Sequence, residues 1–274
     1  MTSGNSGARS AGSASGVRIA DFSDQTLAVA DAEIRKLVRN PTELVTRAVQ
    51  PVLWLLVFGQ VFSRTRAIPT GDLSYMEFMA PGILAQGVLF GAIFYGIAAI
   101  WERDLGIVHK LLVSPASRAS LVLGKALAAG TRGLPQAAII YALAAVLGVR
   151  LSLTPSSVLG VATFVMLGSA SFSTFSLVIA CAVKERERFM GIGQVLTMPL
   201  FFASNAIYPL ALMPPWLRVV ARVNPLTYLV DGLRTTMLRH GTSPLGLGLD
   251  YAVELGLLAA LVLIAARVYP RLAR

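Results

Sequence analysis

The sequence predicts an all-α fold: a polytopic membrane protein with six transmembrane helices. Three observations carry that reading. Hydrophobic residues make up 55% of the 274 positions and charged residues only 14%, against about 25% charged in a typical soluble domain. Mean hydropathy is +0.68. The apolar residues fall in continuous runs near the roughly 20-residue length that crosses a bilayer, not in ten-residue alternating segments, which excludes a β-barrel.

Residues 1–16 are Ser, Gly and Ala with little to bury and read as a disordered tail, extended to residue 23. No apolar run lies in the first 40 residues, so a cleaved signal peptide is not expected. Residues 24–39 set Leu27, Ile34, Leu37 and Val38 at helical spacing, with Asp31, Glu33, Arg35, Lys36 and Arg39 elsewhere on the wheel. That pattern is a short amphipathic helix suited to a membrane surface. Spans follow at about Leu44–Phe62, Phe78–Ile100, Leu121–Val149, Ser157–Val183, Met190–Ile207 and Tyr251–Tyr269. Internal Pro and Gly are tolerable where neighbouring helices re-satisfy the freed backbone.

Lys and Arg orient the spans. With the amino terminus inside, fifteen fall in cytoplasmic segments and seven outside, and Lys125 and Arg132 lie within the third span. Both termini are therefore expected in the cytoplasm. The net charge of +10 is accounted for by anionic lipid headgroups, so no nucleic-acid partner is called for. Arg outnumbers Lys 20 to 4; this suggests a GC-rich genome, such as an actinobacterium's, and hence a bacterial cell membrane.

Catalytic and metal signatures are missing from the sequence. His109 and His240 are its only histidines and Cys181 its only cysteine; no metal-ligand spacing exists. The one Gly-Lys pair, Gly124-Lys125, has Ala119 where a phosphate-binding loop needs Gly, and Ala126 where it needs Ser or Thr. The chain is read as a non-enzyme with no ATP site, metal or cofactor of its own. All 14 Asp and Glu are assigned to loops or span ends. That weighs against an ion-coupled carrier, which ordinarily keeps a carboxylate at mid-membrane.

Two loops carry information. Residues 101–118, between spans two and three, read as one short cytoplasmic helix with Leu105, Val108 and Leu112 on a face, ended by Ser114-Pro115. It suits either docking of a soluble partner or adhesion to headgroups. Between spans five and six, Pro209 leads to Trp216, and residues 215–223 form a helix bearing Arg218 and Arg222. After Asn224-Pro225 a second helix holds Asp231 and Arg234, spaced to pair. Two interfacial helices outside the membrane are expected here, with Trp and Tyr at headgroup level.

These loops and the six-span layout resemble the membrane subunits of type-2 ATP-binding-cassette (ABC) exporters, especially the daunorubicin/doxorubicin-resistance-type permeases. The stretches are Glu102-Arg103-Asp104-Leu105-Gly106, Leu111 to Arg118 with Gly124-Lys125, Tyr208-Pro209-Leu210 through Trp216 to Asn224-Pro225-Leu226-Thr227-Tyr228, and Asp231-Gly232-Leu233-Arg234. The resemblance runs from about residue 24 to the end and implies one transmembrane domain over 24–274. It implies that a separate ABC ATPase, two copies per complex and binding ATP and Mg, docks on the 101–118 loop as a coupling helix. Glu102, Arg103, Asp104, Leu105, Gly106, Val108 and Leu112 would then be the coupling residues, with the last apolar ones entering an ATPase groove. It also implies a homo- or heterodimer of membrane subunits, residues 24–39 as the connecting helix, and two extracellular half-helices between spans five and six.

The expected cargo is a hydrophobic or amphipathic drug, antibiotic or lipid. A lipid-linked glycan exporter of the same layout, and an ion-coupled carrier or membrane enzyme, stand as alternatives. Lys125 and Arg132 are seven apart on nearly one face of the third span. They either meet an anionic substrate group or, for Lys125 above all, snorkel to the inner headgroups. Ser169, Ser171, Ser173, Thr174 and Ser176 either pack helices together or line a substrate path, with Ser173 the candidate.

Overall fold

The computed structural model describes residues 49–65, 68–113, 117–183 and 185–270, together with Asp24, Leu27 and Asp31. The expected tail, most of the 24–39 helix, the start of the first span and Ser114-Pro115 lie outside the described residues. All elements described are helical; the one pairing of extended backbone is an isolated bridge between Leu151 and Leu238.

A helix enters at residue 49, takes a π-helical turn over Trp54–Gly59 and continues as α1 (Gln60–Thr65). Then come α2 (Tyr75–Asp104), α3 (Ile107–Val113), α4 (Arg118–Val146), α5 (Pro155–Ala182), α6 (Arg186–Phe202), a 3-10 turn at Leu210–Leu212, α7 (Pro215–Val223), α8 (Pro225–Met237) and α9 (Leu247–Val268). The ends are where side chains can cap them. Ser74 accepts from the Glu77 amide while Glu77 takes the Ser74 amide, a reciprocal capping box that starts α2. Ser117 and Thr154 cap α4 and α5 one way, accepting from the Ser120 and Ser157 amides.

By length and composition α2, α5 and α9 are long and apolar enough to cross a membrane; at about 1.5 Å per residue, the 30 residues of α2 reach about 45 Å. The expected third span coincides with α4, which has the length at 29 residues but is interrupted by Lys125 and Arg132. The expected fifth coincides with α6, only 17 residues long.

Helix α5 is the central post. It is apolar all round, as suits a helix covered on every side, and α2, α4, α8 and α9 pack on it. Its Ser169, Ser171, Ser173, Thr174 and Ser176 are buried, with Thr174 Oγ1 returned to the Ala170 carbonyl at 2.7 Å. Small residues set the closest approaches: a Cβ on Gly82 of α2 would stand 2.4 Å from the Ala206 carbonyl oxygen. Two apolar cores result. One gathers the first half of α2, the second half of α4 and α8; the other, at the opposite end, joins Ile100, Val108, Leu121, Leu177, Phe189 and Tyr269.

Helix α8 differs from the expectation of two interfacial helices. Leu226, Leu229, Val230, Leu233 and Met237 are all fully buried, so α8 runs inside the bundle against α2, α5 and α9. Only α7 has the interfacial character, with Trp216, Val219, Val220 and Val223 exposed.

Candidate functional site

The expected coupling helix is two elements joined by a break. Glu102, Arg103 and Asp104 form the last turn of α2; Leu105 closes it, and Gly106 takes φ +72° before α3 begins. That left-handed conformation suits glycine because a Cβ would meet the backbone. The chain therefore turns at Leu105-Gly106 like an elbow.

The break redistributes the apolar residues. Leu105 is 69% exposed, and Trp101 and Val113 are exposed beside it, whereas Val108 is 0% exposed in the second core. Val108 thus holds the elbow to the bundle and cannot enter a partner's groove, correcting its expected role. The Leu112 side chain lies outside what is described.

Charged contacts tie the elbow to two other helices. Lys125 Nζ on α4 donates to Glu102 Oε2 at 2.6 Å, with side-chain exposures of 4% and 13%. Lys125 is thus buried, and its charge is matched by a residue of the elbow. On the other side Asp104 is shared. Arg103 donates to Oδ1 from Nε and Nη2, at 3.0 and 2.8 Å, and Arg186 at the start of α6 donates to Oδ2 at 2.5 Å. The Arg186 guanidinium also lies 4.2 Å from the Trp101 ring centroid.

Arg132 and Ser173 do come together. They line a cavity of about 20 Å³ with Tyr95, Gln136, Ser169 and Gly133, room for about one water molecule. The Arg132 guanidinium stands 5.5 Å from the Tyr95 ring centroid. Of the two expected basic residues, only Arg132 reaches this polar pocket.

The segment after α6 is built around two residues. Arg218 donates to the carbonyls of Leu210, Ala211 and Met213 at 3.0–3.2 Å, closing the turn that follows Pro209. Asn224 caps α8 by accepting from Leu226 N at 3.0 Å and donates from Nδ2 to the Leu200 carbonyl of α6 at 2.6 Å, with Pro225 at the first position of α8. Between α6 and α7 an apolar groove of about 540 Å³ opens, lined by Val195, Leu196, Pro199, Val219, Val220 and Val223 among others.

Asp231 and Arg234 do not form the expected ion pair. Arg234 points to α2, donating to the Phe78 and Asn205 carbonyls at 3.2 and 2.8 Å with its guanidinium 3.9 Å from the Phe78 ring centroid. Asp231 points to α9, accepting from Ser243 Oγ at 2.6 Å and from Leu245 N at 3.3 Å. Ser243 Oγ also reaches Asp250 Oδ2 at 3.2 Å, and Glu254 follows one turn along α9. Asp231, Asp250 and Glu254 are all 0% exposed. This corrects the placing of every acid at loops or span ends: Glu254 lies inside α9 and faces the bundle. In the connecting segments, Arg150 donates from Nε to Oε1 of Glu77 in the first turn of α2 at 2.7 Å, which holds that guanidinium above its ordinary range, and burial raises the Tyr208 phenol.

An all-helical bundle, three of whose described helices are long and apolar enough to cross a membrane, defines a multi-pass membrane protein. The family of ABC-2 type transporters matches residues 24–238, and the chain belongs to it. It is 31% identical over 201 residues to a putative transport permease ycf38 of Cyanophora paradoxa, covering 73% of this chain and 69% of that one. It is 25% identical over 230 residues to the daunorubicin resistance ABC transporter permease protein DrrB1 of Streptomyces coeruleorubidus (84% and 80% covered). To the inner membrane transport permease YadH of Escherichia coli the identity is 25% over 213 residues, covering 73% and 79%.

Proposed function

We propose that this chain is the membrane subunit of an ATP-driven exporter that moves hydrophobic or amphipathic compounds out of the cytoplasm or inner leaflet. It crosses a bacterial cell membrane six times with both termini inside, pairs with a second membrane subunit, and is energised by two copies of a separate ABC ATPase that bind ATP and Mg. The observation that carries this is the elbow, which presents Trp101, Leu105 and Val113 on an exposed apolar knob with Arg103 and Asp104 at its edge. An ATPase dimer that closes on ATP and reopens after hydrolysis favours one arrangement of the docked elbow at a time, which biases a two-state bundle. Leu105 is the docking contact, in place of Val108. Arg132 and Ser173 are the substrate-path residues; Pro209, Trp216 and Arg218 belong to the outer cover, and the family's drug-resistance relative supports the choice of cargo class.

Co-expression with the ATPase encoded beside it tests the reading. The ATPase is expected to co-purify, and its hydrolysis to respond to drugs or lipids in a panel that includes glycolipids. Leu105→Asp should abolish co-purification while the chain still folds. Recovery of no ATPase with the wild-type chain would sink the proposal.

A further inference from the structure

We propose that Arg186 is the positioning residue through which the elbow moves α6, a part that rests on the reading of the elbow as the ATPase dock. The elbow is held on two sides by contacts of different kinds. Toward α4 the Lys125–Glu102 pair is nearly enclosed. Toward α6 the Arg186–Asp104 pair is open, with side-chain exposures of 42% and 35%. Water screens an open pair and lets it exchange, whereas a closed one resists change because an unpartnered charge would be left buried. The α4 side is thus the fixed edge and the α6 side the yielding one.

Helix α6 is placed to yield. It packs along α2 and only marginally on α5, and it leaves Met190, Val195 and Phe202 exposed. Its cytoplasmic end is gripped at two points one turn apart. Arg186 is clamped between the Asp104 carboxylate and the Trp101 ring. Phe189 is buried beside Gly96, where a Cβ would stand 2.4 Å from the ring. Asp104 directly precedes the exposed Leu105, so a load on Leu105 reaches Arg186 across a single peptide and one ion pair. The Arg103 contact on the other carboxylate oxygen keeps Oδ2 aimed at Arg186.

The test uses the full chain co-expressed with its ATPase, comparing wild type, Arg186→Asp, Arg186→Lys and the swap Asp104→Arg/Arg186→Asp. Three quantities are read: ATPase co-purification, thermal stability, and compound exported per ATP hydrolysed. Arg186→Asp is expected to keep the first two and lower the third by about tenfold, the scale of ordinary coupling between sites. The swap should restore most of it, and Arg186→Lys, which keeps the charge but not the planar stack, should fall between. Wild-type export per ATP in Arg186→Asp, or a swap no better than the single variant, overturns this inference and leaves the docking reading standing. Absence of the ATPase from the wild-type complex overturns both.

Discussion

Removing the Lys125 ammonium is expected to cost more stability than any exposed charge on the molecule. Its Nζ lies 2.6 Å from Glu102 Oε2, with only 4% and 13% of the two side chains exposed. Unit charges at that separation attract by about 6 kcal/mol at an effective dielectric of 20, most of it offset by the cost of taking both from water. Truncating one partner exposes that cost, about 3–5 kcal/mol for a buried pair. Glu102 is the less buried and can turn toward water, so Lys125→Met should fall at the lower end, about 3 kcal/mol. For a chain of this size each kcal/mol moves the midpoint by roughly 2–4 °C, which gives a drop of about 6–12 °C in a fluorescence melt of the purified protein. Lys125→Met/Glu102→Gln, which removes both charges of the pair, should recover at least half. A single variant that melts within about 2 °C of wild type would refute the buried-pair argument. So would a double variant no better than the single.

Gly82→Ala should lose about 1–3 kcal/mol, because its Cβ would meet Ala206 backbone at 2.4–2.9 Å; Gly256→Ala, with open space, should be neutral or gain up to about 1 kcal/mol. The same melts check both. Glu254 is fully buried and neither carboxylate oxygen has a hydrogen-bond partner among the described residues. Glu254→Met should therefore be neutral or stabilising by about 1–4 kcal/mol, and a clear fall in melting temperature would refute that. Val108→Asp places a carboxylate in the second core and should abolish folded expression, whereas Leu105→Asp should express and melt normally, as size-exclusion profiles of the two would show.

The helices were legible because their signals are local. Ser74, Ser117 and Thr154 mark starts through hydrogen bonds to residues three positions on, and the apolar runs between them exceed what a soluble helix carries. The elbow was half legible. The sequence marks its residues, but the spacing of Leu105, Val108 and Leu112 reads as one helix only if Gly106 between them is passed over. A glycine there was the available sign of a break. The burial of α8 was also legible: Leu226, Leu229, Val230, Leu233 and Met237 repeat at three and four, the stripe of a helix facing a core. Asp250 and Glu254, four apart in an apolar helix, likewise announced an inward-facing pair. The partners of Lys125 and Arg234 were not readable at all. Each is 23 or more residues away along the chain, and nothing in local spacing selects Glu102 or Phe78 over their neighbours.

The double use of Asn224 gives α6 the mechanics of a lever. One amide both begins α8 and hooks the Leu200 carbonyl, pinning the far end of a rod whose near end is grasped at Arg186. Fourteen residues separate grip and pin, an arm of about 21 Å. Sliding the near end by about 1 Å would tilt the rod by only about 3° and leave the pivot, and the apolar groove beside it, almost in place. The tie needs a donor and an acceptor on one short side chain. Aspartate could start α8 but would let go of α6, and serine is too short to hold both; the pivot therefore admits little but asparagine.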